Sequence, residues 1–252
     1  MLKALVERIR QGYRTISVPP PKDALPEAFR GRPVIDAARC EDGCRECAEA
    51  CPTGAITPGP RPTLDLGRCL FCNECADRCP TGAIRFTSDY RMAATRREDL
   101  IVGADAPRLA QPLDGKRRSL LGGSLKLRQV SAGGSAGCEQ EAAALGNVVF
   151  DSGRFGIQFV ASPRHADGIL VTGPVTVNMR TALVKTNDAV PEPKVVIASG
   201  AAAISGGPFA GNPEVLDGVG NVLPVDLFVP SHPPHPLTLL DGLLRLLGRV
   251  RE

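Results

Sequence analysis

The sequence contains no tryptophan, few other aromatic residues (4%) and little net charge, +3 over 252 residues. The small net charge gives no indication of a nucleic-acid partner. Since no apolar run approaches the roughly 20 residues that a membrane-spanning helix needs, we expect a soluble or peripheral protein. The 43% hydrophobic content can support a core, and the length suits one large or two modest domains.

Cysteine is present in an unusual arrangement, with eight of the nine cysteines in two near-copies of one motif. The copies read Cys40-x3-Cys44-x2-Cys47-x3-Cys51-Pro52 and Cys69-x2-Cys72-x2-Cys75-x3-Cys79-Pro80. The same Pro-Thr-Gly-Ala-Ile run occupies 52–56 and 80–84. Closely spaced thiolates that end in Cys-Pro are typical of a bacterial ferredoxin holding two 4Fe–4S clusters. The motif therefore predicts an electron carrier.

The fourth cysteine of each copy is expected to serve the cluster of the other copy, because the Cys-Pro turn carries it away from its own loop. We therefore predict one cluster on Cys40, Cys44, Cys47 and Cys79, and a second on Cys69, Cys72, Cys75 and Cys51. The first copy departs from the pattern by one extra residue within Glu41-Asp42-Gly43. Gly43 can absorb the bulge, since glycine tolerates positive φ.

Two other uses of cysteine fit less well. Zinc sites usually have two Cys-x2-Cys pairs separated by a longer loop, without a third close cysteine or a Cys-Pro. A disulfide framework suits a small secreted domain, whereas we expect no signal peptide here. Thiolate-bound clusters indicate a reducing compartment, most simply the cytoplasm.

The sequence divides into four predicted segments. Residues 1–30 comprise an amphipathic helix over 1–14 and an extended lead, and 31–90 form the two-cluster ferredoxin domain. Residues 91–123 form a linker whose basic cluster at 116–118 is expected to face solvent or a partner, and 124–252 form an α/β domain. The basic amphipathic helix suits an anionic membrane surface, a partner subunit, or packing on its own domain.

Apolar runs at 168–173, 194–200 and 223–229 predict strands, the third weakened by Pro224 and Asp226. Helices are predicted at 175–188 and 237–250. Alternation of strands and helices indicates a mostly parallel sheet with helices on both faces. Ligands of such sheets bind at the carboxyl ends of the strands, here 200–207 and 230–236.

The second domain resembles the small cluster-bearing subunit of respiratory complex I and of energy-converting NiFe hydrogenases. The resemblance is carried by Gly137-Cys138-Glu139, Ser162-Pro163-Arg164-His165, Gly173-Pro174-Val175-Thr176 and Pro224-Val225-Asp226, among others in the same order. The first domain is similar to the two-cluster ferredoxin subunit of the same complexes. The resemblance implies a fusion of two neighbouring subunits: an α+β ferredoxin-like domain and an α/β domain with a flavodoxin-like sheet.

The hydrogenase branch of this family holds a further 4Fe–4S cluster on four cysteines. The corresponding positions here are Ser135, Cys138, Ala202 and His232. One thiolate remains, alanine cannot ligate iron, and histidine does so only in special centres. We therefore expect this third site to be degenerate and empty, with Cys138 as a buried thiol. A protease-like use of Cys138 lacks any partner spacing.

The resemblance implies an iron–sulfur electron-transfer subunit of a membrane-associated oxidoreductase, with no bond chemistry on this chain. Its partners would be a large hydrogenase-like or complex I-like subunit, membrane subunits, and an electron donor or acceptor. It would lie peripherally on the cytoplasmic face of the inner membrane. The alternative is a mainly structural subunit, whose second domain scaffolds partners without forwarding electrons.

Overall fold

The computed structural model describes residues 2–21, 25–103, 105 and 107–250. The α-helices in these residues are α1 (Leu2–Gln11), α2 (Glu46–Glu49), α3 (Glu74–Asp77), α4 (Gly115–Leu121), α5 (Gly137–Ala144), α6 (Val177–Asp188), α7 (Ala201–Ser205) and α8 (Pro236–Leu246). The strands are β1 (Pro33–Ile35), β2 (Ile56–Thr57), β3 (Thr63–Asp65), β4 (Ile84–Phe86), β5 (Ile101–Val102), β6 (Leu125–Ser131), β7 (Ile157–Phe159), β8 (Gly168–Thr172), β9 (Val195–Ser199) and β10 (Leu227–Val229).

The repeated cysteine motif folds into two similar halves. Each copy runs through a four-residue helix, α2 or α3, and its Pro-Thr-Gly-Ala-Ile run then turns into β2 or β4. Gly54 and Gly82 have φ of 58° and 61°. Each donates its N–H to the carbonyl of the cysteine three residues earlier, at 3.2 Å. Because glycine adopts this left-handed conformation without a Cβ penalty, the same turn forms twice.

Two small antiparallel sheets frame these halves. β1 pairs with β4, and β3 lies between β2 and β5. Each sheet therefore joins segments from different parts of the motif, which holds the two copies against each other. The predicted α+β, ferredoxin-like architecture of this half is confirmed.

The second half contains a five-stranded sheet in which every neighbouring pair is parallel, in the order β10-β9-β8-β6-β7. Counted within this sheet, the order is 2-1-3-4-5, which is that of flavodoxin. The predicted strand at 223–229 is shorter than expected, since β10 begins at Leu227. Pro224 has no N–H to donate, and the Asp226 carboxylate accepts the Val196 N–H at 2.8 Å before the strand begins.

Both faces of this sheet are covered. Alternate strand residues point to opposite sides, and the two sets of residues pack into different clusters. Leu170 of β8 packs with the apolar residues of α8 and α5. Ile169 and Val171 instead belong to a cluster that includes Leu183 of α6 and extends to Leu66 of the ferredoxin-like half. All five β8 positions are buried, as expected for the interior strand of a parallel sheet.

The segment 91–123, predicted as a linker, packs against both halves. Met92 and Ala94 are buried, and Ala94 exchanges two backbone hydrogen bonds with Phe228 (3.0 and 2.8 Å). Arg117 donates to the Lys194 carbonyl at 2.7 Å and to Asp226 Oδ1 at 2.9 Å. The expectation that the basic cluster at 116–118 faces solvent or a partner was therefore wrong for Arg117, whereas Lys116 and Arg118 are exposed. The domain boundaries themselves stay a prediction.

Helix α1 projects from the remainder of the described structure. All ten of its residues are exposed, so the option that it packs on its own domain was wrong. The helix stops before Gly12, whose φ is 61° and whose N–H bonds the Arg8 carbonyl, a common helix end. No helix in the described part of the chain combines the length and apolar character needed to cross a bilayer.

Candidate metal centres

The first group of cysteines surrounds a cavity between the two motif copies. Its wall contains Cys40, Cys44, Cys47 and Cys79, together with Ile35 and Ile84 of the β1–β4 sheet. Three of these thiols come from the first copy and one from the Cys-Pro of the second. Burial raises the pKa of Cys40 and Cys47, and for both the next contribution comes from the charge of Cys79.

The second group of cysteines surrounds an equivalent cavity. Its wall contains Cys51, Cys69, Cys72 and Cys75, together with apolar side chains that include Leu64 and Phe86. Burial, with a smaller contribution from neighbouring thiolates, raises the pKa of Cys69 and Cys75 to about 12 each. The two cavities therefore gather the thiols in the crossed grouping. Which cysteine binds which cluster stays a prediction.

The two Cys-Pro cysteines occupy matching environments. The Ala55 N–H donates to Cys51 Sγ and the Ala83 N–H to Cys79 Sγ, both at 3.2 Å. In each case a threonine hydroxyl two residues on lies 3.7 Å from the sulfur. Burial opposes ionisation of Cys79, yet the hydrogen bonds from Thr81 and Ala83 lower its pKa. Such donors stabilise a thiolate, the form that binds metal.

The extra residue in the first copy is accommodated by a turn. The Cys44 N–H bonds the Glu41 carbonyl at 3.2 Å, and Gly43 within this turn has φ of 77°. A Cβ at Gly43 would meet nothing within 4 Å, so the bulge points away from the protein. The insertion therefore leaves Cys40 and Cys44 on the same cavity.

The second copy has left-handed residues on both sides of Cys72. Phe71 and Asn73 have φ of 59° and 79°, a conformation that is uncommon outside glycine. It turns the backbone so that the Phe71 N–H donates to Cys69 Sγ at 3.4 Å. Cys69 and Cys75 are buried, whereas Cys72 is the exposed member of the nine cysteines, all of which are described. The second cavity is thus sealed on one side and open near Cys72.

The donor chemistry of both cavities fits a 4Fe–4S cluster. Four thiolates placed together repel one another, so they require a positive centre, and metal binding then displaces their protons. Among the described residues, no three Cys, His, Asp or Glu side chains converge closely enough for one metal ion. The thiols instead surround a space, as a polynuclear cluster with one iron at each ligand requires. A zinc ion, which needs all four sulfurs at about 2.3 Å, does not suit this spacing.

The degenerate third site is brought together only in part. Cys138, in the first turn of α5, is buried, and its Sγ lies 3.8 Å from His232 Nδ1. Gly200, at the end of β9, faces the same thiol: a Cβ there would lie 2.6 Å from Cys138 Sγ. Ala202 is buried in α7, and Ser135 is exposed ahead of α5. Of the four family positions, Cys138 and His232 bring one thiol and one imidazole together, which is fewer than the four ligands that a cube needs.

Polar groups around the third site are satisfied only in part, because Glu139 Oε2 is buried without a hydrogen-bond partner. Glu139 Oε1 accepts hydrogen bonds from the hydroxyls of Ser131 (2.7 Å) and Thr172 (2.6 Å). Although burial opposes ionisation, these bonds lower the pKa of Glu139. Burial lowers the pKa of His232, which favours the neutral ring. The Cys138 thiol has its pKa raised to about 12, chiefly by burial, and so stays protonated.

Sequence reasoning missed an open cleft between the two halves. Its wall combines Cys72 from the second cavity with His232 from the third site, and adds Glu141 and His235. Burial raises the pKa of Glu141 and lowers that of His235. The Pro-rich sequence around His235 predicts a loop but not this placement. The cleft depends on the packing of one half against the other, for which the sequence carries no local signal.

The fold and the sites define an iron–sulfur protein of the electron-transfer class, and comparisons with known proteins agree. Residues 136–246 match the family of the NADH ubiquinone oxidoreductase 20 Kd subunit, and residues 39–83 match a 4Fe-4S dicluster domain. The chain belongs to the NADH ubiquinone oxidoreductase 20 Kd subunit family. It is related to subunits of complex I and of hydrogenase-type complexes.

Three relatives illustrate the range of these similarities. An NADH-quinone oxidoreductase subunit of Heliobacterium modesticaldum is 44% identical over 47% of this chain and 69% of its own length. The subunit of the same name in Bacteroides thetaiotaomicron is 43% identical over 45% of this chain and 58% of its own. Formate hydrogenlyase subunit 7 of Escherichia coli is 41% identical over 49% of each chain. The chain thus spans roughly half to two thirds of these relatives.

Proposed function

We propose that this chain is an electron-transfer subunit of a membrane-associated oxidoreductase and holds two 4Fe–4S clusters in residues 31–90. The proposal rests on the two cavities, each lined by three thiols of one motif copy and the Cys-Pro thiol of the other. When bound, such clusters supply one-electron carriers whose potentials depend on hydrogen bonds to sulfur, burial and charge. No bond-making reaction is assigned to this chain.

The two cavities differ in how far their surrounding residues bury them, and burial affects the reduction potential of a bound cluster. Ile56 and Leu64 in the wall of the second cavity are 5% and 1% exposed and exclude water from it. The first cavity opens toward the Glu41–Gly43 turn and the Pro58-Gly59 loop. Because burial penalises the more negative reduced form of a cluster, we expect the two centres to reduce at distinguishable potentials.

The second domain, residues 124–252, acts in this proposal as a docking module without a cluster. Ala202 offers no ligand atom, and Cys138, Gly200 and His232 occupy the centre of the former site. The relatives are named as subunits of NADH-quinone oxidoreductase and formate hydrogenlyase. By analogy, the partners here are a large hydrogenase-like or complex I-like subunit and membrane subunits. The complex would lie on the cytoplasmic face of the inner membrane, with an electron donor or acceptor protein.

The test is the iron and labile-sulfide content of the anaerobically purified protein, with EPR of its reduced form. We expect about eight irons per chain, four for each cube. About twelve would show that the third site binds a cluster. About four would show that the insertion at Glu41–Gly43 prevents the first cluster from forming.

A mainly structural role is the second candidate, favoured by the loss of ligands at the third site. The two roles separate in a variant that cannot fill either cavity, such as Cys47→Ser combined with Cys75→Ser. If the assembled complex forms but no longer passes electrons, the chain is an electron carrier. If electron flow continues at the wild-type rate, the chain is a scaffold.

A further inference from the structure

Helix α1 carries an apolar face that nothing in the described structure covers. Leu2, Leu5, Val6 and Ile9 are 79%, 59%, 44% and 74% exposed, and Tyr13, just beyond the helix, is 87% exposed. Scattered exposed apolar residues are normal, but a contiguous set indicates a contact surface. At about 100° per residue these four helical side chains fall within an arc of about 100°, so they form one continuous face.

The segment after α1 is fixed to the folded protein. The Thr15 hydroxyl donates to the Val148 carbonyl at 3.1 Å, and the Ile16 N–H donates to the Val149 carbonyl at 2.8 Å. Arg154 donates to the Ile16 carbonyl. Val148 and Val149 are themselves 71% and 38% exposed, so a second exposed apolar pair lies beside the segment that follows the helix.

We call the exposed apolar residues of α1 and the following Tyr13 the N-terminal apolar surface, which consists of Leu2, Leu5, Val6, Ile9 and Tyr13. We propose that this surface lies on an anionic lipid bilayer and attaches the chain to the membrane directly. This inference is independent of the cluster assignment above and holds whether or not the chain carries electrons.

The arrangement of charge favours lipid over a protein groove. On the helical projection Lys3 and Arg10 border one edge of the apolar arc and Arg8 lies beyond the other, while Glu7 is the one acid of α1. Basic side chains on both flanks of an apolar face can reach anionic headgroups while the face enters the acyl boundary. Tyr13, against which the Arg8 guanidinium lies at 5.4 Å, is a residue type enriched at bilayer interfaces.

The absence of tryptophan from the chain provides a clean reporter. In Tyr13→Trp, the single indole reports on the N-terminal apolar surface. Adding vesicles of phosphatidylcholine with phosphatidylglycerol to the full cluster-loaded chain should shift its emission to shorter wavelength. Vesicles of phosphatidylcholine alone should shift it far less. A matched variant, Phe209→Trp, places the indole at another exposed site outside this surface, and its emission should not move.

Co-sedimentation with the same vesicles measures the contributions of charge and apolar area separately. Each basic side chain near an anionic surface contributes about fivefold in partitioning, so Lys3→Gln with Arg10→Gln should weaken binding about 25-fold. Leu5→Gln with Ile9→Gln should weaken it by at least about tenfold. Ala4→Gln, on the opposite side of the same helix, is the control and should bind as the wild type does. Iron per chain should be equal in all of these variants.

Three results would overturn the inference. The first is failure of the full chain to bind anionic vesicles, and the second is equal binding to vesicles with and without phosphatidylglycerol. The third is a wild-type dimer that Leu5→Gln with Ile9→Gln converts to a monomer, because the occupant would then be a second copy. Iron content is recorded on the same samples. A failure of vesicle binding with clusters present is therefore distinct from a failure of cluster binding.

Discussion

The crossed grouping of thiols predicts that replacing Cys51 removes the cluster of the other motif copy. Cys51 follows Cys47 by four residues, yet it lines the cavity of Cys69, Cys72 and Cys75. In Cys51→Ala the second cavity keeps three thiols, and the Ala55 N–H loses the sulfur it contacts at 3.2 Å. The cavity of Cys40 and its neighbours is unchanged.

The expected size of the effect follows from cluster stoichiometry. Loss of one cube removes about four of about eight irons. Cys79→Ala is the matched control, because Cys79 has the same hydrogen bonds to Ala83 and Thr81, and it should remove the other four. Cys51→Ala should also lower Tm more than Cys79→Ala does. Its cavity contains the buried Cys69 and Cys75 within the apolar cluster that reaches the second half.

Iron analysis and EPR of the reduced variants distinguish the possible assignments. Cys51→Ala and Cys72→Ala should retain the same EPR signal. That signal should be the one that Cys44→Ala loses. If Cys51→Ala and Cys44→Ala lose the same signal, each motif copy binds its own cluster and the crossed grouping is wrong.

Further predictions concern the second half of the chain. Cys138→Ser should leave iron content and Tm nearly unchanged, as iron analysis and thermal unfolding will show, because one thiol cannot hold a cube. Leu170→Asp should destabilise the protein by more than the roughly 2–5 kcal/mol of a Leu→Ala change, since it also buries an unpaired charge; denaturant unfolding measures this. Arg245→Met should cost about 3–5 kcal/mol of unfolding free energy by leaving Asp241 buried without its partner at 2.8 Å. Adding Asp241→Leu should recover most of that loss in the same assay.

The cysteine motifs were the part of the molecule most open to prediction, because their spacing is local. Cys51 and Cys79 are each followed by the turn at Gly54 or Gly82, so the repeat itself carries the geometry that separates them from their own loops. The parallel sheet was also predictable from the apolar runs at β8 and β9. Their residues are buried at every position, and a continuous apolar run is the pattern of such strands.

Polar contacts between distant segments were not predictable in this way. Arg117 joins α4 to Asp226, 109 residues away. Nothing in the sequence around either residue distinguishes it from a charged residue that faces solvent. The same contact and the hydrogen bond from the Val196 N–H to Asp226 hold this carboxylate outside the strand. As a result, β10 begins only at Leu227. Within α8, Asp241 and Arg245 are buried, although an i,i+4 charge pair usually indicates an exposed helix face.

The exposure of the apolar face of α1 was likewise not predictable from the sequence. Its periodicity predicts an amphipathic helix, but the same pattern suits a helix packed on its own domain. The exposure of all ten residues decides between these two interpretations. The occupant of the face is then inferred from charge, because both flanks are basic. Periodicity therefore predicts the element, and only the tertiary structure shows that the element lacks a partner within the described part of the chain.

The packing around Cys138 accounts for this cysteine without a metal, as the proposed cluster-free third site requires. Gly200 has φ of 94° and leaves no room for a Cβ, which would lie 2.6 Å from Cys138 Sγ. The thiol therefore fills the space above Gly200 and contacts the neutral ring of His232. Removing this sulfur would open a cavity between α5 and the end of β9, whereas serine preserves most of its volume. Packing against Gly200 and His232 is thus consistent with the proposal that Cys138 binds no cluster.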